Sequence, residues 1–412
     1  MSSLVEQPLA DSCGTAEARG DARKVFLLIL GGNGMLGSSF IANIVSRLGP
    51  QRVDITLLNR GRKYWDSDER VNVHVSNHIK CDRKDVQKHG EEIFAQRNRF
   101  DYCIDFSGYR SAHVKSILKC VRITRRYLYI SSDSIYEVCQ QISHSGPIVE
   151  EDAVRPSDKT TRKRLNSADD YGHKKLKGEE VLMRATTGTL PIKYIALRLP
   201  DVIGPRDNTD RIFNYILWLR THKDTGVPVK LMPRRKQKPL SFVHCDSVAS
   251  ALSACILLTL ENDTLLTNVS LNLADGNDSG IYLREFLGTM ASEMGISDGV
   301  EFVENNPNGS DDSDDDDDGT YYPSVTRGPI CSKAARDLLR PMWIPMEICN
   351  AIKSIVSFYE NDVLSCAGHG VKKFKDEIQE TCDDLFEELD LSKTQIRQFK
   401  QKITAYYKYS MH

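Results

Sequence analysis

A serine in SSDSIY (131–136), a tyrosine and a lysine in YGHKK (171–175) are residue types that can share one proton transfer. A tyrosine hydroxyl titrates near pH 10, so it acts as a base at neutral pH only where a nearby cation steadies its phenolate. Lys175 stands one helical turn after Tyr171, a spacing that puts both side chains on one face if the stretch is helical. Spacing alone is weak. The chain holds sixteen tyrosines, so about one tyrosine–lysine pair at this separation is expected by chance, and an idle helix-surface pair is the competing reading. Meaning has to come from the elements that position these residues.

VFLLIL (25–30) is a continuous apolar run bounded by glycine, the pattern of a parallel strand buried on both faces. GGNGMLG follows, with a predicted helix over Met35 to Leu48 that stops at Gly49 and Pro50, then a strand at DITLLN (54–59). The alternation continues through a strand at VNVHV (71–75), a polar helix from Lys84 to about Gln96, DYCIDF (102–106), a helix near His113 to Cys120, and YLYI (127–130). A basic, polar segment from Val154 to Ala168 leads to the helix that opens near Tyr171, and KYIALRL (193–199) supplies another strand. Beyond it the pattern predicts a helix from about Asp210 to Arg220, strands at VPVKL (227–231) and LSFVH (240–244), and an apolar helix from Asp246 to Leu260. Such alternation implies an α/β fold, a Rossmann-type doubly wound parallel sheet with a smaller C-terminal α/β substrate-binding portion and appended C-terminal helices. The expected boundaries are a disordered leader over 1–22, a dinucleotide-binding domain over 23–200 with 201–252 interleaved between domains, a smaller portion over 201–365 with an acidic loop at 309–319, and a helical extension over 366–412.

The glycine turn fits the dinucleotide fingerprint in two registers, Gly32, Gly34, Gly37 and Gly31, Gly34, Gly37. It follows an apolar strand and opens a helix, which is the context the mechanism requires. Early glycines let the backbone approach a pyrophosphate, the last lets helix and strand pack closely, and the helix N-terminus faces the negative phosphates. Gly31, Gly32, Asn33, Gly34, Met35, Leu36 and Gly37 are therefore candidate cofactor contacts. An NAD site usually has an acidic residue at the end of the second strand to hold the ribose hydroxyls. Here Asn59 stands there, followed by Arg60, Gly61 and Arg62. Arginine pairs with a 2′-phosphate that an acid would repel, so NADP(H) is favoured and NAD(H) is the alternative. Asp82, Phe106, Ser107 and Gly108, at the ends of later strands, extend the candidate set, together with Tyr171 and Lys175.

The ordered set of GGNGMLG, SSDSIY and YGHKK resembles the extended short-chain dehydrogenase/reductase family, also called the NAD-dependent epimerase/dehydratase family, over about residues 24 to 360. DFSGY (105–109), LRLPDVIGP (197–205) and FVHCDSVASAL (242–252) extend the resemblance. It implies that Ser132 holds the place of the catalytic serine or threonine, Tyr171 that of the acid/base, and Lys175 that of the lysine that reaches the ribose hydroxyls. Tyr171 would exchange a proton with a substrate oxygen that Ser132 also binds, while hydride passes to or from C4 of the nicotinamide. The implied function is an NAD(P)-dependent oxidoreductase or epimerase acting on a hydroxyl or ketone of a sugar-like or other small metabolite, and the family suggests a homodimer through a helical face.

The chain departs from the family at several places. Dehydratases follow the serine or threonine with Asp-Glu, but here Asp133 is followed by Ser134, which disfavours elimination of water and leaves Asp133 a candidate acid. Nucleotide-sugar members carry an asparagine and an arginine where this chain has Asp201 and Leu240. Asp201 would repel a diphosphate unless offset, and Lys238 with the run Arg234, Arg235, Lys236 is near enough in sequence to compensate. Arg206 and Arg211 are alternative anion contacts, and His244 is a tentative substrate-side residue whose simpler role is structural.

Composition sets outer bounds. The 412 residues are 40% apolar and 27% charged with net charge -2, an ordinary soluble profile without a basic excess. Eleven cysteines, an odd number and none at metal-ligand or redox spacing, read as buried thiols of a reducing compartment. His74 and His78 lack a third ligand, so no metal is expected. No apolar run approaches the ~18 residues that span a bilayer, and the N-terminus lacks a secretory pattern, so a cytoplasmic protein with no membrane contact is expected. The near-neutral charge and the acidic run SDDSDDDDDG (310–319) argue against nucleic acid. The alternative reading is nonetheless a non-catalytic dinucleotide fold with an RNA- or protein-binding role. NRGR (59–62) and DFSGY look like those of the family's chloroplast stem-loop RNA-binding branch, and Arg162 to Arg164 could meet phosphates.

Overall fold

The apolar runs VFLLIL, DITLLN and YIALRL form strands with nearly every side chain buried, because helices cover the sheet on both faces. The computed structural model describes residues 23–398 apart from 189–190, 233–236, 297–299, 305–320, 365–372, 374 and 390. The expected leader, the acidic run, the basic residues Arg234 to Lys236 and the end of the C-terminal extension lie outside the described residues.

In chain order the first half comprises β1 (Val25–Leu30), α1 (Met35–Leu48), β2 (Val53–Asn59), α2 (Ser67–Asn72), β3 (Asn77–Lys80), α3 (Arg83–Ile93), β4 (Arg99–Asp105), α4 (Ser111–Cys120), β5 (Arg122–Ser132), α5 (Lys159–Ala168) and α6 (Asp170–Ala185). The second half comprises β6 (Tyr194–Leu199), β7 (Asp201–Ile203), α7 (Arg211–Thr225), β8 (Val229–Leu231), β9 (Phe242–His244), α8 (Cys245–Glu261) and β10 (Val269–Asn272). It closes with α9 (Leu283–Glu293), β11 (Phe302–Glu304), α10 (Lys333–Leu339), α11 (Ile348–Val356) and α12 (Lys375–Glu388).

Seven strands form one sheet in the order β10-β6-β5-β4-β1-β2-β3, and every pairing in it is parallel. The chain reverses direction across the sheet between β1 and β4, so a crevice opens beyond the carboxyl ends of these strands. On one face α1 and α8 cover the sheet with Phe40, Ile44, Leu252 and Ile256. On the other, α3, α4 and α6 contribute Val86, Val114, Ile117 and Leu182. The first face closes tightly only because position 37 lacks a side chain: a Cβ there would sit 2.4 Å from Gly32 Cα.

One expectation changes. VNVHV is not the third strand: Val71 ends α2 with its side chain fully buried, while Val73 is 75% exposed. The strand lies instead at Asn77–Lys80, paired on one side only, with no fully buried residue. Within the basic segment before Tyr171, Lys159–Ala168 is a helix capped by Asp158, whose carboxylate accepts the Thr161 N–H at 2.6 Å.

The second core gathers α7, α9, α11 and α12 around Phe213, Trp218, Phe286, Tyr322 and Tyr359. The two small parallel pairs, β8 with β11 and β7 with β9, flank it. Helix α12 sends Ile378, Leu385 and Phe386 into this same core. Among the described residues no helix is long and apolar enough to cross a membrane.

Candidate active site

A cavity of about 1800 Å³ opens at the carboxyl ends of β1, β2, β4, β5 and β6. Drug-sized ligands occupy roughly 300–1,000 Å³, so there is room for a dinucleotide and a second molecule. The glycine turn forms one wall through Gly31, Asn33, Gly34, Met35, Leu36 and Gly37. Helix α1 begins at Gly34 with no side-chain cap and no acidic residue in its first turn, so its positive end is left for an outside anion. That is a fit for the pyrophosphate of a dinucleotide. Gly32 does not line the cavity; it packs beneath Gly37 against Leu57.

Asn59, Arg60 and Arg62 stand on the wall at the end of β2. The Asn59 Oδ1 accepts the Gly61 N–H at 2.7 Å and lies 3.0 Å from His78 Nε2. Both arginines are exposed. Asp82 also lines the cavity, but its carboxylate caps α3 by accepting the Lys84 N–H at 2.8 Å, a bond that holds it below the usual carboxylate range. Phe106 and Ser107 line the crevice after β4. Gly108 lies behind it, where its carbonyl accepts the Tyr129 hydroxyl at 2.6 Å.

Helix α6 brings the proton-transfer candidates to β5. Asp169 caps it by accepting the Gly172 N–H at 2.6 Å. Position 172 must be glycine, because a Cβ would stand 2.1 Å from the Ser134 carbonyl oxygen. That close docking sets Tyr171 beside Ser132, and both line the cavity with Asp133. Tyr171 is 45% exposed to the cleft. Even so, the surrounding protein raises its phenol above the ordinary tyrosine value, with Tyr109 and Asp133 adding to the shift and Ser132 opposing it. Tyr171 is therefore protonated at neutral pH. Burial of the phenol is the largest cause of that rise.

Lys175 lies under the cavity wall, 2% exposed, and donates from Nζ to the Ile130 carbonyl at 2.8 Å. Burial brings its ammonium down to about 8, opposed by Asp105 and Glu179. The Ser132 hydroxyl is 3.3 Å from Asp133 Oδ1 and 3.2 Å from the Ser134 hydroxyl. Asp133 is buried, and desolvation followed by the charge of Asp201 raises its carboxyl well above the normal range.

Sequence reasoning missed the supports behind these groups. Asp105, fully buried at the end of β4, accepts both Arg83 nitrogens at 3.1 and 3.0 Å and the Tyr127 hydroxyl at 2.5 Å. Glu179, one turn beyond Lys175, accepts the Ser131 hydroxyl at 2.5 Å and Arg198 Nη2 at 2.9 Å. Helix α6 is thus tied to β5 and β6 by buried polar bonds. The only signal available was the polar character of residues at the ends of apolar strands.

Of the residues expected to meet substrate, Asp201 and Arg211 line the cavity and pair at 2.9 Å, while the Ser324 hydroxyl donates to the same carboxylate at 2.7 Å. The offset that Asp201 needs comes from Arg211. Lys238 lines the cavity too, with Nζ on the Thr326 carbonyl at 2.5 Å. Arg206 is not brought to the cavity: its guanidinium pairs with Asp66 and covers the Phe358 ring at 4.5 Å. Nor is His244, which is fully buried and caps α8 by accepting the Asp246 N–H at 3.2 Å. His244, Cys245 and Asp246 bring ligand-type atoms within 4.8 Å of one another. Burial pushes the Cys245 thiol up to about 12.

Solved structures share this architecture. The chain superposes on dTDP-glucose 4,6-dehydratase from Bacillus anthracis, solved with NAD, at TM-score 0.58 and 15% identity, covering 82% of this chain and 96% of that one. UDP-glucose 4-epimerase from Thermotoga maritima, solved with UDP-glucose, gives TM-score 0.58 and 15% identity over 82% and 99%. UDP-glucose 4-epimerase from Thermus thermophilus, solved with NAD, gives 0.57 and 17% over 82% and 99%. No curated protein sequence matches. The family model for the NAD dependent epimerase/dehydratase family matches residues 27–265, more than half of the chain. The chain belongs to the NAD-dependent epimerase/dehydratase family.

Proposed function

We propose that this protein is an NAD(P)-dependent oxidoreductase or epimerase that exchanges hydride with a carbon bearing a hydroxyl or ketone in a sugar-like small molecule. The observation that carries the reading is the convergence of Ser132 and Tyr171 on one cavity wall with Lys175 directly behind them. A bound nicotinamide dinucleotide would supply the hydride-exchanging carbon. Gly34 to Gly37 would hold its pyrophosphate at the start of α1, and Lys175 its ribose.

The residues themselves account for the proton. Tyr171, protonated at neutral pH, donates to a carbonyl oxygen, and Ser132 hydrogen-bonds the same oxygen. Asp133, 5% exposed and with its carboxyl raised well above the normal range by burial, is a second candidate acid in the same wall. With Ser134 in place of a glutamate, the site lacks the paired acids of a dehydratase. A sugar-like substrate is supported by the nucleotide-sugar enzymes that share the fold. NADP(H) is favoured over NAD(H) by Arg60 and Arg62 on the wall and by an amide, Asn59, where an acid would repel the 2′-phosphate.

The test is dinucleotide-linked turnover of hydroxy and keto sugars by the wild type and Tyr171→Phe, with dinucleotide affinity measured alongside. Turnover that collapses in the variant while affinity holds supports the reading. Equal turnover in both would remove Tyr171 from the chemistry and leave a binding role.

A further inference from the structure

Lys175 is enclosed by rings. Its Nζ lies 5.0 Å from the centroid of Tyr109, 5.3 Å from that of Tyr129 and 5.7 Å from that of Tyr171. An ammonium has three donor directions. One goes to the Ile130 carbonyl, and the rings cover the ammonium elsewhere, which leaves the residue 2% exposed. A ribose diol cannot reach a nitrogen covered in this way.

The three rings are not equally held. Tyr129 is fully buried, its hydroxyl bonded to the Gly108 carbonyl at 2.6 Å, and it packs so closely on α6 that a Cβ at Gly178 would stand 2.4 Å from that hydroxyl. Tyr171 rides on α6 itself. Tyr109 sits on the short loop between β4 and α4, is 51% exposed, and lines the cavity. Among the described residues no hydrogen bond to its hydroxyl fixes the ring. Its hold on the site is the cation–π contact with Lys175.

We propose that Tyr109 is a movable cover on Lys175, and that a dinucleotide ribose reaches the ammonium only after the Tyr109 ring swings out of the cleft. The proposal rests on the dinucleotide reading given above. Displacement exchanges one cation–π contact for hydroxyl hydrogen bonds to a charged donor, which are the stronger interaction. The cover keeps a buried amine from solvent until the ligand arrives. Because burial brings Lys175 down to about 8, part of the amine is neutral near pH 7 and reactive wherever it is exposed.

Two measurements on the full chain test this with Tyr109→Ala and Tyr109→Phe. The first uses no dinucleotide: reductive methylation with formaldehyde and a borane at one fixed pH, read residue by residue by mass spectrometry. Lys174 and Lys177 on the same helix serve as internal references. Labelling of Lys175 should rise several-fold in Tyr109→Ala and stay at the wild-type rate in Tyr109→Phe, which keeps the ring. Wild-type labelling in Tyr109→Ala would overturn the cover. The second is titration with NADPH and NADH. Tyr109→Ala should bind about two- to five-fold tighter, the range one exposed cation–π contact spans. Unchanged or weaker binding in Tyr109→Ala would overturn the gating role and make Tyr109 a fixed wall. If neither wild type nor variants bind any dinucleotide, the cofactor reading fails and the gate with it, whereas the labelling result still decides the cover.

Discussion

The half of the cavity proposed to hold the cofactor and the half proposed to hold the substrate are built in opposite ways. The cofactor wall comes from short stretches that each follow one strand: Gly31 to Gly37 after β1, Asn59 to Arg62 after β2, Phe106 and Ser107 after β4. The substrate wall is assembled from residues far apart in the chain. Ser324 bonds Asp201, Thr326 bonds Glu137 with its hydroxyl at 2.8 Å, and Arg327 Nη2 reaches the Cys139 carbonyl at 3.0 Å. A ligand common to a whole family can be held by local turns on a shared sheet. The difference teaches that the first wall is built from local turns and the second from long-range contacts, and variants on either side should separate the two.

The largest effect is expected at the seam. Lys175→Met removes the cation behind Tyr171 and the donor for a ribose, so turnover should fall by about 10²-fold or more while the melting temperature stays within a few degrees; unchanged turnover would detach Lys175 from the chemistry. In the wild type, Lys175 should lose its charge as pH rises through about 8. A falling limb of kcat/KM near that pH, moved upward in Lys175→Arg, checks the sign.

Next comes packing. Gly172→Ala forces a methyl against the Ser134 carbonyl, which should cost about 1–3 kcal/mol in chemical denaturation and lower turnover by shifting Tyr171 from Ser132. Gly288→Ala in α9, where nothing lies within 4 Å, should stabilise by about 0.5–1 kcal/mol. The same substitution with opposite signs isolates close docking from helix propensity. Equal effects would show that α6 can shift freely on β5.

Arg60→Ala should weaken NADPH by about tenfold, the loss of one charge-assisted phosphate contact, and leave NADH unchanged. A parallel loss for both would assign Arg60 to general attraction. Smallest is Asp201→Asn, confined to the substrate wall. It should raise KM a few-fold, with dinucleotide affinity and the cofactor wall unaffected. A change in dinucleotide affinity would break the division of the cavity into two halves.

The same division explains what was legible in the sequence. Buried parallel strands must be apolar throughout and glycine turns must be glycine, so β1, β2, β4, β5 and β6 and the cofactor wall left plain signatures. The third strand did not, because β3 pairs on one side only and buries no residue fully, whereas VNVHV alternates for a different reason: Val71 packs under α1 at the end of α2. The proposed substrate wall was legible at Asp201, Arg211 and Lys238. Arg206 and His244 looked equally suitable, but Asp66 and the α8 cap claim them, and neither partner is visible from spacing. Tyr109 stood inside a quoted motif, yet nothing local marked it, since its role depends on Lys175 more than sixty residues later.

The central claim is that the cleft holds Tyr171 as a protonated acid poised over a substrate oxygen. Carbon-13 NMR of the tyrosine Cζ nuclei, with Tyr171 assigned by its loss in Tyr171→Phe, reads that proton directly. The account predicts a Tyr171 signal that stays at the phenol position from about pH 7 to pH 10, above which free tyrosine ionises. A phenolate signal for Tyr171 near pH 8 would contradict it.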